Sequence, residues 1–152
     1  MEQEQKENLK ITFIGKYEIE YYEKMVKLIN DYKLNDTFSH IGYLNKKNIY
    51  KNCDAIILPS FYEGFANVLL EAMYYGKLIL VSLQAEQNNV IKNNYNGFLF
   101  DANSPESQKN SIIEALKLNK KDIYQMCYIN RKTVLENYSI DKISAHWKDL
   151  YN

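Results

Sequence analysis

Two apolar runs, Asp54 to Leu58 (DAIIL) and Lys77 to Ser82 (KLILVS), bracket an almost wholly apolar helical stretch, and this arrangement restricts the fold more than any other feature of the chain. Runs without polar alternation suit strands buried on both faces, as in parallel sheets. Parallel neighbours need a crossover long enough to bring the chain back, and a helix over Asn67 to Tyr75 supplies it. The connecting stretch, Pro59 to Gly76, reads PSFYEGFANVLLEAMYYG. Glu63 lies in the turn before the helix, and Glu71 lies inside it among Leu69, Leu70, Ala72 and Met73. A carboxylate among core residues is costly unless something hydrogen-bonds it. Glu71 is therefore the residue that most needs a reason.

The same strand–helix alternation runs through the rest of the sequence. Leu9 to Gly15 (LKITFIG) reads as a strand closing into a turn. Glu18 to Tyr32 carries Ile19, Tyr22, Met25, Val26 and Ile29 at helical spacing, which predicts a one-faced helix against a sheet. Thr37 to Ile41 is a short strand stopped by Gly42, Lys46 to Asn52 a short helix, and Gly97 to Phe100 a last strand. Glu86 to Lys92 is expected as a short helix. From Pro105 onward the pattern is helical: Ser104 before Pro105 is a good helix start, followed by helices over Lys121 to Asn137 and Asp141 to Tyr151. Alternating strands and helices predict an α/β fold. The expected form is a single Rossmann-like domain, with a parallel sheet of about five strands, helices on both faces and a helical C-terminal tail. Residues 1–8 are polar and are expected to be a flexible leader, with the domain over 9–152.

Composition narrows the function classes. The chain has 152 residues, enough for a real core, and 46% of them are hydrophobic. Lys and Arg number 19 and Asp and Glu 19, so no broad field favours nucleic acid or anionic lipid. No apolar run has the length needed to span a bilayer, and the first ten residues lack a signal peptide's apolar region. Cys53 and Cys127 have no metal-ligand spacing and read as reduced structural thiols. The 14 tyrosines read as compositional bias and not as a site. Neither His40 nor His146 has a neighbour that suggests general-base work, and no Asp-x-Asp metal motif occurs.

In a parallel α/β sheet, ligands sit beyond the carboxyl ends of the strands. The loop after Leu58 is the richest of these. Gly64, Phe65, Ala66 and Asn67 lead into the helix, so free backbone N–H groups and the helix dipole suit a phosphate there. Glu71, just over a turn in, would lean back toward that terminus, and a carboxylate can accept two hydrogen bonds side by side from a vicinal diol such as ribose. The plainer reading stays open at this level: Glu63 as a first-turn acid favoured by the dipole, and Glu71 as a side chain reaching the surface. A flavodoxin-like or receiver-like domain would also fit the length, but it needs a flavin-phosphate loop or an acidic phosphorylation pocket, and neither is found.

PSFYEGFANVLLEAMYYGKLILVS resembles the signature of glycosyltransferase family 4, a group of retaining, nucleotide-sugar-dependent enzymes with the GT-B fold. Pro-Ser, a glutamate, Gly-Phe, seven residues between two glutamates, Glu-Ala-Met, a Gly and an apolar strand all have counterparts here. NCDAIILPS before it and NNYNGFLF after it fit as well, and the resemblance extends over roughly residues 9 to 151. It implies the C-terminal, donor-binding half of a GT-B fold. Glu63 would be the catalytic residue, binding the transferred sugar's hydroxyls near the reacting carbon, and Glu71 would bind the ribose hydroxyls. Backbone groups of Gly64, Phe65, Ala66 and Asn67 would face the sugar or diphosphate. Tyr43, Leu44 and Lys46 fall in the loop that contacts the base, although Tyr43 and Lys46 are equally readable as ordinary loop residues. Gly15 occupies the family's first glycine loop, in which the usual second glycine is replaced. Glu86 falls in a loop near the sugar, and a helix-start acid is the plainer reading of it.

The resemblance further implies transfer of a hexose or N-acetylhexosamine from a UDP- or GDP-sugar to a glycan or polyprenyl-linked acceptor, in bacterial surface polysaccharide synthesis such as O-antigen or capsule assembly. No cofactor and no metal ion are expected. The N-terminal acceptor domain has no counterpart in this sequence, nor does the first strand–helix unit of the donor domain, whose Arg and Lys neutralise the diphosphate. The isolated chain is accordingly expected to be inactive. The expected location is the cytoplasm, with peripheral attachment at the inner face of the cytoplasmic membrane through the full-length protein, and no nucleic acid partner. The alternative is a non-catalytic interaction module that pairs with a separate acceptor-domain subunit.

Overall fold

A computed structural model describes residues 9–42, 46–63, 67–86, 89–139 and 142. The expected leader, the last helix over Asp141 to Tyr151 apart from position 142, and the loops 43–45 and 64–66 lie outside the described residues. The described elements run β1 (Ile11–Ile14), α1 (Ile19–Asp31), β2 (Phe38–Ile41), α2 (Lys46–Lys51), β3 (Ala55–Leu58), α3 (Asn67–Tyr74), β4 (Leu78–Ser82), β5 (Phe98–Phe100), α4 (Pro105–Lys117) and α5 (Lys120–Asn137). All the strand pairings are parallel. The chain divides into two compact units, Met1–Ile49 and Tyr50–Asn152, and the boundary falls inside α2.

In the first unit β1 and β2 form a two-stranded sheet, with Ile11 opposite Phe38 and Ile14 opposite Ile41. The rings of Phe13 and Phe38 stack at 5.7 Å. The predicted helix forms, but its stripe is not buried as expected: no residue of α1 is fully buried, and Ile19 is 72% exposed. A two-stranded sheet offers too little apolar surface to cover a helix of 13 residues. Tyr22, Met25, Val26 and Ile29 are half-buried, and aromatic rings supply part of this packing. Tyr22 stacks on Tyr17 at 4.3 Å, and both meet His40 edge-on.

The second unit holds the core. Its sheet has the order β3-β4-β5, with Ala55 opposite Leu78 and Leu80 opposite Phe98. The five strands thus pair as two sheets among the described residues, not as one continuous ladder. All five residues of β4 are buried, as a central strand covered on both faces must be. Leu78, Leu80, Phe98, Phe100 and Met126 form one cluster, joined by Ile112, Ala115 and Leu118. Helices α3 and α5 pack on one another and on β4, while α4 packs on β5.

The local signals are well used here. Ser104 caps α4 by accepting from the Ser107 backbone N–H, with Pro105 at the first helical position. Asn119 caps α5 through the Asp122 N–H. Helix α3 is closed just beyond its end by Gly76, with φ of +64°: the Lys77 N–H reaches the Ala72 carbonyl and the Gly76 N–H reaches that of Met73. This six-to-one closure needs a left-handed residue, and glycine takes it without strain.

The short helix expected over Glu86 to Lys92 is not present at the described positions, where Val90 to Lys92 are irregular. Glu86 explains why. Its Oε1 accepts from the backbone N–H groups of Val90, at 2.6 Å, and Ile91, at 3.1 Å. In a helix the Val90 N–H would bond to the Glu86 carbonyl. Here the side chain captures it instead.

Candidate functional site

The β3–α3 connection places both sequence-singled glutamates in the second unit, each with a hydroxyl partner. Glu63 is half-buried, and its Oε1 accepts from Ser60 Oγ at 2.9 Å. The same Ser60 offers its backbone carbonyl to Ser82 Oγ, at the carboxyl end of β4. Phe61 and Tyr62, between Ser60 and Glu63, turn their rings to solvent. Asn67 opens α3 and is exposed. The segment Gly64, Phe65, Ala66 lies outside the described residues, and so do Tyr43 and Leu44.

Glu71 has a protein partner that the sequence did not reveal. The Tyr50 hydroxyl donates to Glu71 Oε2 at 3.0 Å, across 21 positions of sequence. Tyr50 is 3% exposed, and its ring stacks on Tyr75 at 4.9 Å. Burial first, and then the Glu71 hydrogen bond, push the Tyr50 hydroxyl well above the usual phenol range. Tyr50 therefore stays protonated and stays a donor to Glu71. Nothing in the spacing of α2 singles out this tyrosine among 14, and the stabilising contact forms only when α2 and α3 fold together.

Gly15 ends β1 with φ of +138°, a backbone state that favours glycine. Lys46 opens α2. Both belong to the first unit, whereas Glu63, Asn67 and Glu71 belong to the second. The loop after β4 is built from buried polar contacts. Besides Glu86, the Asn96 side chain accepts from the Lys92 N–H at 2.7 Å and donates to the Val90 carbonyl at 3.0 Å. Asn130 of α5, fully buried, donates to the Asn96 carbonyl at 2.8 Å. These bonds tie the loop to α5. Glu86 thus has a structural use inside this loop.

The other titratable groups do not add to the site. Cys53 and Cys127 are free and half-buried, and burial holds both thiols above their ordinary range. Asp101 is held low chiefly by the Asn103 backbone N–H, with Gln84 helping. Among the described residues no group of three or more His, Cys, Asp or Glu side chains is placed to hold a metal ion. No described helix is long and apolar enough to cross a membrane.

Comparison with known proteins agrees with the fold and gives it a family. An uncharacterized glycosyltransferase of Methanocaldococcus jannaschii is 26% identical over 134 residues, which is 84% of this chain and 38% of that protein. The Escherichia coli UDP-Gal:alpha-D-GlcNAc-diphosphoundecaprenol alpha-1,3-galactosyltransferase is 30% identical over 122 residues, 80% of this chain and 31% of that one. The Anabaena protein HepE, solved in complex with UDP, superposes with a TM-score of 0.84 at 16% identity, over 94% of this chain and 40% of that one. At that identity the likeness is one of fold, that of a GT-B glycosyltransferase domain. The chain spans less than half the length of these relatives. The profile of the family described as "Glycosyl transferases group 1" matches residues 1–133, and the chain belongs to that family.

Proposed function

We propose that this chain is the donor-binding part of a retaining glycosyltransferase of family 4. The reaction is transfer of a hexose or N-acetylhexosamine from a UDP- or GDP-sugar to a glycan or polyprenyl-linked acceptor, in bacterial surface polysaccharide synthesis. The observation that carries the reading is the β3–α3 connection of a glycosyl transferases group 1 chain, with Glu63 before the helix and Glu71 within it. The E. coli relative supports the donor and acceptor chemistry, since its name specifies UDP-galactose and a diphosphoundecaprenol-linked sugar.

In this reading Glu71 binds the ribose hydroxyls and Glu63 faces the transferred sugar as the catalytic carboxylate. Gly64, Phe65, Ala66 and Asn67 present backbone to the sugar or diphosphate, and Tyr43, Leu44 and Lys46 meet the base, with Gly15 in the neighbouring turn. Tyr50 holds Glu71 in place for the diol. A departing nucleoside diphosphate needs compensating positive charge as the sugar–oxygen bond breaks. One helix terminus supplies a fraction of a charge. The isolated chain is accordingly proposed to bind donor weakly and to transfer poorly. No metal ion or cofactor enters the proposed reaction, which would run in the cytoplasm, with peripheral membrane attachment through the full-length protein.

The test is a titration followed by backbone NMR. UDP or GDP at millimolar concentration should shift the amide signals of residues 64–67 and 43–46, and Glu71→Ala should abolish the shifts. No response to either diphosphate in the wild-type chain would sink the reading.

A second reading rests on the first unit. Phe13, Tyr21, Met25, Leu28, Tyr32 and Phe38 line an open groove of about 360 Å³, and several of these rings and side chains are exposed. An apolar surface of this kind favours an interaction module that pairs with an acceptor-domain subunit. It predicts self-association of the isolated chain that grows with concentration and does not respond to nucleotide. Sedimentation velocity checks this, and a dimer that nucleotide dissolves would count against the reading.

A further inference from the structure

We propose that the hydroxyls of Ser60 and Ser82 form a brace that positions the Glu63 carboxylate. This inference rests on the donor-site reading above and adds to it two residues that do not themselves touch the sugar.

The hydrogen bonds in this corner have a fixed direction. The Ala85 backbone N–H donates to Ser82 Oγ at 3.2 Å. A carbonyl only accepts, so the Ser82 hydroxyl proton goes to the Ser60 backbone carbonyl. Ser60 Oγ then donates to Glu63 Oε1, because an ionised carboxylate only accepts. Ser82 is fully buried at the carboxyl end of β4, so both its bonds are shielded from competing water. The two bonds act on different groups of Ser60: Ser82 fixes its backbone, and its own hydroxyl fixes Glu63.

The connection also crosses from one strand to the next. Ser82 is the last residue of β4, paired with Phe100 of β5, and it reaches the turn that leaves β3. The central strand of the sheet therefore holds the turn on which Glu63 sits. Without the Ser82 bond the Ser60 carbonyl loses its partner in the second strand. Without the Ser60 hydroxyl, Glu63 keeps its place in the chain and loses its aim. Fixing a carboxylate before the ligand arrives is what a group facing a sugar requires.

The brace makes a prediction that a merely structural role does not. The full 152-residue chain would be titrated with UDP, GDP, UDP-galactose and GDP-mannose. Ser60→Ala should weaken the nucleotide sugar by about tenfold, the cost of a hydrogen bond to a charged group, while leaving the bare diphosphate within about twofold. Ser60→Thr, which keeps the hydroxyl, should restore binding. Ser82→Ala should act in the same direction as Ser60→Ala. In combination with Glu63→Ala, Ser60→Ala should add no further loss, since either change alone removes the Ser60–Glu63 hydrogen bond.

Losses that multiply in the double variant would overturn the brace. So would a Ser60→Ala effect of equal size on bare diphosphate and nucleotide sugar, or no effect on either. If the wild-type chain binds neither diphosphate, the donor-site reading fails and the brace falls with it. A thermal midpoint measured for each variant separates loss of fold from loss of aim, and the Thr variant and the double variant decide the matter if Ser82→Ala does not fold.

Discussion

Phe100→Ala is expected to destabilise the second unit by about 3–5 kcal/mol, the range for truncating a fully buried aromatic side chain. Phe100 is 1% exposed and belongs to the cluster of Leu78, Leu80, Phe98 and Met126, closed by Ile112, Ala115 and Leu118. Neither a rotamer change nor local collapse can readily fill the space, because the surrounding atoms come from a sheet and from two helices that pack on it. The position carries more than apolar area. Its backbone carbonyl accepts from the Leu83 N–H at 2.8 Å, and its register partner is Ser82. A cavity at Phe100 therefore loosens the strand end that holds the turn before Glu63. Chemical denaturation followed by tryptophan-independent far-UV signal measures the effect, with Phe13→Ala as the comparison. Phe13 is 38% exposed, so its truncation should cost much less. Equal costs at the two positions would show that the core is not where the structure puts it.

The strand and helix order was legible chiefly because β3, β4 and β5 are short apolar runs and α1 and α3 carry apolar faces. Ser104, Pro105 and Asn119 act as the local rules of capping require. Element ends moved by a residue or so, as frayed ends do. What could not be read was anything set by a choice between two local partners. A helix over Glu86 to Lys92 and the observed irregular loop share one sequence. The outcome turns on whether the Val90 N–H bonds to the Glu86 carbonyl or to its carboxylate. Alternation of strands and helices likewise gives parallel pairing but not which edges meet, so the two separate ladders were beyond its reach.

The candidate site shows the same division. Glu63 and Glu71 could be singled out from spacing and from the oddity of an acid in an apolar helix. Their partners could not. Ser60 lies only three residues from Glu63, yet Pro-Ser reads equally well as a plain turn, and the link to Ser82 spans 22 positions. Tyr50 meets Glu71 across 21 positions, from a helix of six residues whose composition suggests nothing but exposure. The Tyr50–Glu71 and Ser82–Ser60 contacts are tertiary facts. They need two elements to be packed before either side chain has a meaning, and single-sequence periodicity describes one element at a time.

Replacing Glu86 by Ala is expected to cost about 2–5 kcal/mol, because it leaves the Val90 and Ile91 N–H groups without an acceptor in a buried setting. Glu86 is 8% exposed, and Val90 and Ile91 are buried too, so water cannot easily take over both bonds. Glu86→Gln should cost markedly less. The amide oxygen can still accept from both N–H groups, and only the charge and one acceptor oxygen are lost. The two variants together separate geometry from charge. Hydrogen exchange would locate the change: in the Ala variant the amides of Val90 and Ile91 should lose protection while that of Lys92 and those of β4 and α5 keep most of theirs. Asn130 and Asn96 brace the far side of the same loop, so the loosening should stop at their hydrogen bonds and not spread into α5. If Gln proves as damaging as Ala, the negative charge itself is what the loop requires, and Glu86 then has a role beyond collecting two backbone hydrogens. If neither variant changes stability or exchange, the carboxylate does not hold this loop, and the preference for an irregular path over a helix needs another cause.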